Sequence, residues 1–397
     1  MSTSRRRFSR PVAIAAVSDI PSSRYPEQDA LGMYRIVLQK LLKEWDIKPA
    51  DIQGILAAPA GQGSLQGVDL YTHEKLAEEL AVIPYFADTM NAGGGTFGIM
   101  VQRAALAVAT EQVDSVLCIG AGKFAKVTQG TGEIMSKMTC HPEFEWIYGP
   151  SVVGINAMAA THHMATYGTT EAQLARVAVS QRMWALKNPN AITYKKGPLT
   201  VEAVLQSPLI STPFHQFHCS IPCEGGGALL VTSEEMAKRL NPQPAYLLGM
   251  GECLTHASIS QSPARPSHGA KLSSQRAYEM AGLTPKDIDV AELYDGFVIH
   301  PLLFVEELGL CEEGKGGAFY EDGRADPGGD MPVNTFGGLC SSGHTGDASG
   351  ICMIVEGARQ VMNRAGDHQV EGANTAIVHT FGGMLADHST LILGRHS

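Results

Sequence analysis

Residues 45–61 read WDIKPADIQGILAAPAG, and residues 281–296 read AGLTPKDIDVAELYDG. The two stretches align on Pro49 with Pro285, Asp51 with Asp287 and Ile52 with Ile288. Each follows a helical pattern and leads into a short apolar run, which reads as helix, turn and buried strand. A looser match lies further on. A helix after Gly98 leads to VDSVLCIGAG from Val113, and a helix after Gly350 leads to NTAIVHTFGG from Asn374. Self-similarity of this kind marks a duplicated unit. The chain therefore divides into two similar α/β halves, roughly 1–245 and 246–397, with an insertion in the first at about 122–210.

The rest of the pattern agrees with an α/β class built on buried sheets. Pro11–Ser18, Ile52–Ala58, Val113–Ile119 and Ala376–Val378 are short apolar strands. Leu31–Trp45 is a helix opening near Asp29, and Gly98–Thr110 is a helix of small residues. Gly309–Asp330 is Gly-rich and acidic and reads as an exposed loop. Lys123–Gly149 mixes Met135, Met138, Cys140, His141, Trp146 and Tyr148 with polar residues, as a substrate cover, a subunit contact or an ordinary long connection would.

With 397 residues, 44% of them apolar, the chain buries a core without staples. A net charge of -10 argues against a nucleic-acid partner. No apolar run reaches the roughly 18 residues of a membrane span. Arg5, Arg6, Arg7 and Arg10 form a short basic tail with no apolar stretch after it, so no secretory signal is expected. Eight widely spaced cysteines without a CxxC predict reduced thiols and a cytoplasmic location.

The 43 glycines bunch at Gly93–Gly95, Gly225–Gly227, Gly337–Gly338 and Gly382–Gly383. The first cluster precedes a helix but matches neither phosphate-binding glycine motif, so tight packing competes with anion binding there. The segment 334–350, NTFGGLCSSGHTGDASG, holds Asn334, Cys340, His344 and Asp347. A histidine fixed in such a loop can move a proton or stabilise an oxyanion. Tyr294 and Asp295 leave the end of a strand, where α/β sheets place ligands. Tyr294 is a candidate acid or base, with packing as the plain alternative. Asp295 orients Tyr294 or only its turn. His215, His218, Cys219 and Cys223 lack zinc-site spacing.

At these residues the chain resembles the thiolase superfamily, specifically the sterol-carrier-protein-type thiolases and their lipid-transfer-protein relatives. G343-H-T-G-D-A-S-G350 is similar to the family's GHPxGxxG loop and puts His344 in the place of its catalytic histidine. Y294-D-G-F297 is similar to its HDxF motif, and Glu224-Gly225 to the DG that opens its central strand. The resemblance implies a duplicated fold layered α-β-α-β-α, with two mixed five-stranded sheets around central helices. It also marks departures. M90-N-A-G-G-G-T-F-G98 has no cysteine where a thiolase carries its nucleophile, His379 or Phe381 stands in the region of the C-terminal one, and Tyr294 replaces the histidine of HDxF. A covalent acyl-enzyme needs that thiolate.

Members of the clade without the cysteine cleave β-hydroxyacyl-CoA esters of steroid side chains by retro-aldol chemistry, with a tyrosine as base. The resemblance therefore implies a carbon–carbon lyase with Tyr294, His344 and Asp295 as catalytic residues. It implies substrate and oxyanion contacts at Gly94, Gly95, Asn334, His379 and Gly382. No cofactor is expected in this chain. The expected assembly is a thiolase-type homodimer with a small OB-fold (DUF35-type) partner, which would carry any zinc. Two alternatives stay open: an acyltransferase using Cys340, and a noncatalytic acyl-CoA or lipid-binding subunit.

Overall fold

The computed structural model describes residues 8, 10–61, 68–123, 136–137, 139–262 and 268–395, without the side chain of Asp347. Arg5, Arg6, Arg7, Met135 and Met138 lie outside the described residues. The strands are β1 (Val12–Ser23), β2 (Gly54–Ala57), β3 (Phe86–Thr89), β4 (Ser115–Gly122), β5 (Leu209–Ser211), β6 (Phe214–His215), β7 (Glu224–Ser233), β8 (Ala245–Leu254), β9 (Val290–Leu293), β10 (Thr375–Gly382) and β11 (Asp387–Gly394). The helices are α1 (Ala30–Glu44), α2 (Thr72–Leu80), α3 (Thr96–Ala109), α4 (Val152–Tyr167), α5 (Glu171–Ala185), α6 (Val201–Leu205), α7 (Glu234–Leu240), α8 (Gly269–Ala281), α9 (Ile299–Glu307), α10 (Gly316–Glu321) and α11 (Ser349–Met362).

Both copies of the repeat form a helix, a one-turn 3-10 helix and a four-residue strand: α1, Pro49–Asp51 and β2, then α8, Pro285–Asp287 and β9. The aligned residues explain the shape. Proline opens the turn with its φ already set and no N–H to satisfy. The aspartate closes it: Asp51 accepts from Lys48 N at 2.9 Å and Asp287 from Thr284 N at 2.7 Å. At the start of α1, Asp29 accepts from Gly32 N at 2.6 Å, an N-cap ahead of the buried stripe Met33, Tyr34, Val37, Leu38 and Leu41.

Among the described residues the main sheet has nine strands in the order β3-β2-β4-β7-β1-β8-β11-β10-β9, and β5-β6 is a separate hairpin. This corrects the expectation of two five-stranded sheets. β1 joins β8 through Ala13–Tyr246 and Ile14–Ala245, so the halves share one sheet. The second half adds four strands, not five. The chain beside β9 makes a single bridge, Ala291–Val333, and Asn334 at φ 54° then turns it away. A second correction concerns Gly309–Asp330, which contains α10 rather than only exposed loop. Phe319 and Tyr320 are buried there and anchor it near α5.

Helices α3 and α11 pack on one another and on strands of both halves. α3 is buried almost all round because Ala104, Ala105 and Ala107 leave room for close neighbours. Its Gly98 is required: a Cβ there would lie 2.4 Å from Thr380 Oγ1. No described helix is long and apolar enough to cross a membrane.

The packing of β8 on α8 is equally close, since a Cβ on Gly249 would lie 2.1 Å from the Ala277 carbonyl oxygen. Gly249→Ala is expected to destabilise the fold by about 1–3 kcal/mol through overpacking. Thermal unfolding checks this, and an unchanged midpoint would show that the strand and helix can separate at no cost.

Candidate active site

Tyr294 follows β9 directly, and its N–H donates to the His379 carbonyl at 2.9 Å, continuing the β9–β10 ladder. Its hydroxyl lies 2.9 Å from His344 Nε2. Fifty residues separate the two in sequence. His344 is pinned through its own backbone: its N–H donates to Ile221 O at 2.7 Å, and its carbonyl accepts from Cys223 N at 2.9 Å. Gly346 N–H donates to His344 Nδ1 at 3.2 Å, which places the ring proton of the neutral imidazole on Nε2. Burial lowers the His344 pKa to about 4. The neutral ring therefore donates to the Tyr294 oxygen, which is the acceptor of the pair.

Glycines from three segments close around this pair. A Cβ on Gly94 would lie 2.5 Å from the Tyr294 ring carbons and 2.6 Å from Phe381 O. One on Gly382 would lie 1.8 Å from Ala92 O, and one on Gly350 2.6 Å from Gly94 O. The start of α3, the end of β10 and the start of α11 thus meet backbone to backbone. Phe381 backs the Tyr294 ring edge-on at 5.1 Å. The space next to Gly94 is filled by the tyrosine, so a side chain at Gly94 and the present Tyr294 exclude one another.

The other expected site residues divide. Gly94 lies against the Tyr294 ring, while Gly95 and Gly382 pack on one another and on Ala92 beside it. The Asp295 carboxylate turns away from it, accepting from Leu339 N at 2.8 Å, Cys340 N at 3.2 Å and Gln181 Nε2 at 2.7 Å. Burial pushes its pKa up to about 8 against these hydrogen bonds. Asn334 Oδ1 accepts from Leu293 N at 2.7 Å and fixes the end of β9. His379 is not brought to the pair: Nδ1 lies 2.8 Å from Thr390 Oγ1 and Nε2 3.2 Å from His388 Nδ1, inside the sheet. The buried Cys340 thiol donates to Asp295 O at 3.2 Å, and burial raises its pKa well above the usual thiol value. It is held as a neutral thiol, a poor nucleophile.

Sequence reading missed Gln181, Asn156 and His300. His300 Nε2 lies 2.6 Å from Asn156 Oδ1 of α4, and its ring meets Phe381 at 4.7 Å. Gln181 and Asn156 lie more than a hundred residues from their partners and carry no local motif. His300 stands six residues after Tyr294 and was findable only as a histidine at the apolar start of α9. Among the described residues no group of three or more His, Cys, Asp or Glu side chains is arranged to hold a metal.

Burial keeps His218, His300, His344, His379 and His388 neutral, with pKa values of about 4, 3, 4, well below normal and about 4. Asp295, Glu292 and Asp387, shifted upward by burial, and His368, shifted upward against its burial by the Glu356 carboxylate, oppose this. Between about pH 6.5 and 4 the unfolded chain takes up protons on five rings that the folded chain refuses, against three carboxyl groups and one ring that the folded chain protonates first. Stability is therefore expected to fall as pH drops through that window. Denaturant titrations at pH 7, 6, 5 and 4.5 check this, and a flat or rising stability would refute the neutral histidine core.

Residues 251–395 match the family described as "Thiolase C-terminal domain-like". The chain is 33% identical over 309 residues to an acetyl-CoA acetyltransferase of Methanothermobacter thermautotrophicus, covering 78% of this chain and 80% of that protein. It is 30% identical to the 17-hydroxy-3-oxo-4-pregnene-20-carboxyl-CoA lyase of Mycobacterium tuberculosis, covering 87% and 91%. The solved structure of an Ltp2-ChsH2(DUF35) aldolase superposes with a TM-score of 0.84 at 27% identity, covering 97% of this chain and 98% of that one. The two relatives carry different chemistry on one framework, and the chain belongs to the thiolase superfamily, in the sterol-carrier-protein-like, DUF35-associated clade that includes the steroid side-chain lyases.

Proposed function

We propose that the protein is a carbon–carbon lyase that cleaves a β-hydroxyacyl-CoA thioester by retro-aldol chemistry. The observation that carries this is the Tyr294–His344 contact of 2.9 Å, with the tyrosine ring filling the space beside Gly94 where a nucleophilic side chain would project. Tyr294 as phenolate takes the β-hydroxyl proton. The Cα–Cβ bond breaks, its electrons pass to the thioester as an enolate, and a ketone or aldehyde leaves. Protonation at Cα gives the shorter acyl-CoA, such as acetyl- or propionyl-CoA. His344, committed to the tyrosine oxygen, stabilises the phenolate. The enolate oxygen is left to backbone N–H groups near Gly94 and Gly382.

The acyl group is assigned a bulky apolar body, a steroid side-chain ester in the first instance. A cleft of about 630 Å³, lined by Phe144, Tyr148, Ile155, Met158, Ala159 and Ile259, supports this choice. The cleft and the site share helix α4: Ile155 lines the cleft, and its neighbour Asn156 bonds His300, whose ring meets Phe381. The related lyase and the superposing aldolase complex support the same chemistry and a DUF35-type OB-fold partner. A thiolase-type homodimer is part of the proposal. Edge strand β3, with Ile83 and Tyr85 exposed before it, supports that part.

Tyr294→Phe, assayed in protein co-purified with its partner, is expected to lower cleavage by about 10²–10⁴-fold, the range for loss of a general base. Mass spectrometry should find a ketone and a shortened acyl-CoA without consumption of free CoA. An acyl-enzyme on Cys340, or CoA-dependent thiolysis, would replace the proposal with acyl transfer. Binding without turnover across β-hydroxyacyl-CoAs would replace it with a carrier role. Gly94→Cys alone is expected to give no thiolytic activity, because the tyrosine ring blocks the thiol.

A further inference from the structure

The turn that presents His344 is held from two sides. Gly338–Ser342 forms a wide π-type turn, with Gly337 at φ 105° and Gly338 at φ 62°. From the β9 side, Asp295 receives the N–H groups of Leu339 and Cys340. From the other side, α5 and the residues after it close in. Asn188 Nδ2 donates to Phe336 O at 2.9 Å, Thr193 Oγ1 to Ser341 O at 2.8 Å and Ile192 N to Ser342 O at 3.0 Å. Gln181 is the α5 side chain that reaches the carboxylate itself. A Cβ on Gly338 would lie 2.4 Å from Asp295 Oδ2 and 2.9 Å from Gln181 Nε2, so turn, acid and amide touch.

We propose that Gln181 is a positioning residue for the Tyr294–His344 pair, acting through Asp295 to keep the turn, and so His344, in register with the tyrosine. The inference rests on the reading of that pair as the reaction centre. Tyr294 and Asp295 are adjacent in the chain, so one short segment carries both the tyrosine and the anchor of the histidine's turn. The buried amide is poorly explained by packing alone. Its Oε1 has no hydrogen-bond partner among the described residues, and an apolar side chain of equal length would fill the space without that cost. The amide orientation is instead explained by the carboxylate it serves. Asp295 receives three donors, and no lysine or arginine pairs with it among the described residues. The titratable groups around it are Glu292 of β9, Tyr320 of α10 and Cys340 of the turn, none of them a cation. Removing one donor raises its proton affinity. Protonation then costs the turn an acceptor, first at the longer Cys340 N–H bond.

The test is Gln181→Met in the full chain, which keeps the length and loses the amide. Amide exchange across residues 337–343 is expected to accelerate by about tenfold or more, with β1 and α11 unchanged, as a local opening would. Cleavage of a β-hydroxyacyl-CoA at pH 9, where Asp295 is ionised in the unaltered chain, should lose about 10- to 100-fold in kcat, the scale of a small misplacement, with KM nearly constant. Its acid limb should move to higher pH, because the weakened carboxylate ionises later. Gln181→Glu supplies a donor only when protonated, so its exchange protection should return as pH falls, the opposite direction. Wild-type exchange at 337–343 in Gln181→Met, or protection in Gln181→Glu that ignores pH, would overturn the inference. If no substrate is cleaved even by the unaltered chain, the proposed function fails while the exchange measurements still decide the role of Gln181.

Discussion

The backbone of Ala92–Gly95 lies directly against that of Phe381–Gly383, and Gly350 closes on Gly94 from a third direction. These segments come from the start of α3, the end of β10 and the start of α11, and only glycine lets three main chains approach so closely. The rest of the site depends on this contact. It brings both central helices up to the sheet, and it leaves beside Gly94 a slot just wide enough for the Tyr294 ring. A side chain on Gly94 would take the space where the tyrosine now stands. The geometry therefore offers either a nucleophile at the helix start or a tyrosine at the strand end.

Around the slot, burial decides the chemistry. His344 is neutral because burial penalises its charged form, and the Gly346 N–H fixes which nitrogen carries the proton. The same burial makes Cys340 an inert thiol and raises the proton affinity of Asp295, against which two turn N–H groups and one amide donate to its carboxyl oxygens. Asp295 thus serves as a support for the turn that carries His344, through a carboxyl group that faces away from the tyrosine hydroxyl.

The insertion is tied to this support at several points rather than laid over it. Gln181, Asn188, Ile192 and Thr193 hold the turn, and Asn156 holds His300 behind Phe381. A segment that reads in sequence as a mixed connection is therefore part of the wall of the site. Its outer side carries the apolar cleft, so one element both shapes the cleft and steadies the pair.

By itself the sequence determined the local pieces. The Pro–x–Asp turns, the aspartate cap of α1 and the strand-end position of Tyr294 depend on residues within a few positions of one another, and each was legible. So was the pairing of Tyr294 with a loop histidine as candidates, though not their contact. The sheet was misread because joining β1 to β8 needs only two residue pairs, too few to leave a pattern. The place of His379 in the sheet interior was hidden as well, since strand periodicity does not tell which polar groups find partners on a neighbouring strand. Only the tertiary structure decided that Gly94 faces Tyr294, that Asp295 supports a turn and that Gln181 reaches it. Those facts arise from contacts across 44 to 200 residues, set by steric fit and by the need of each buried polar group for a partner.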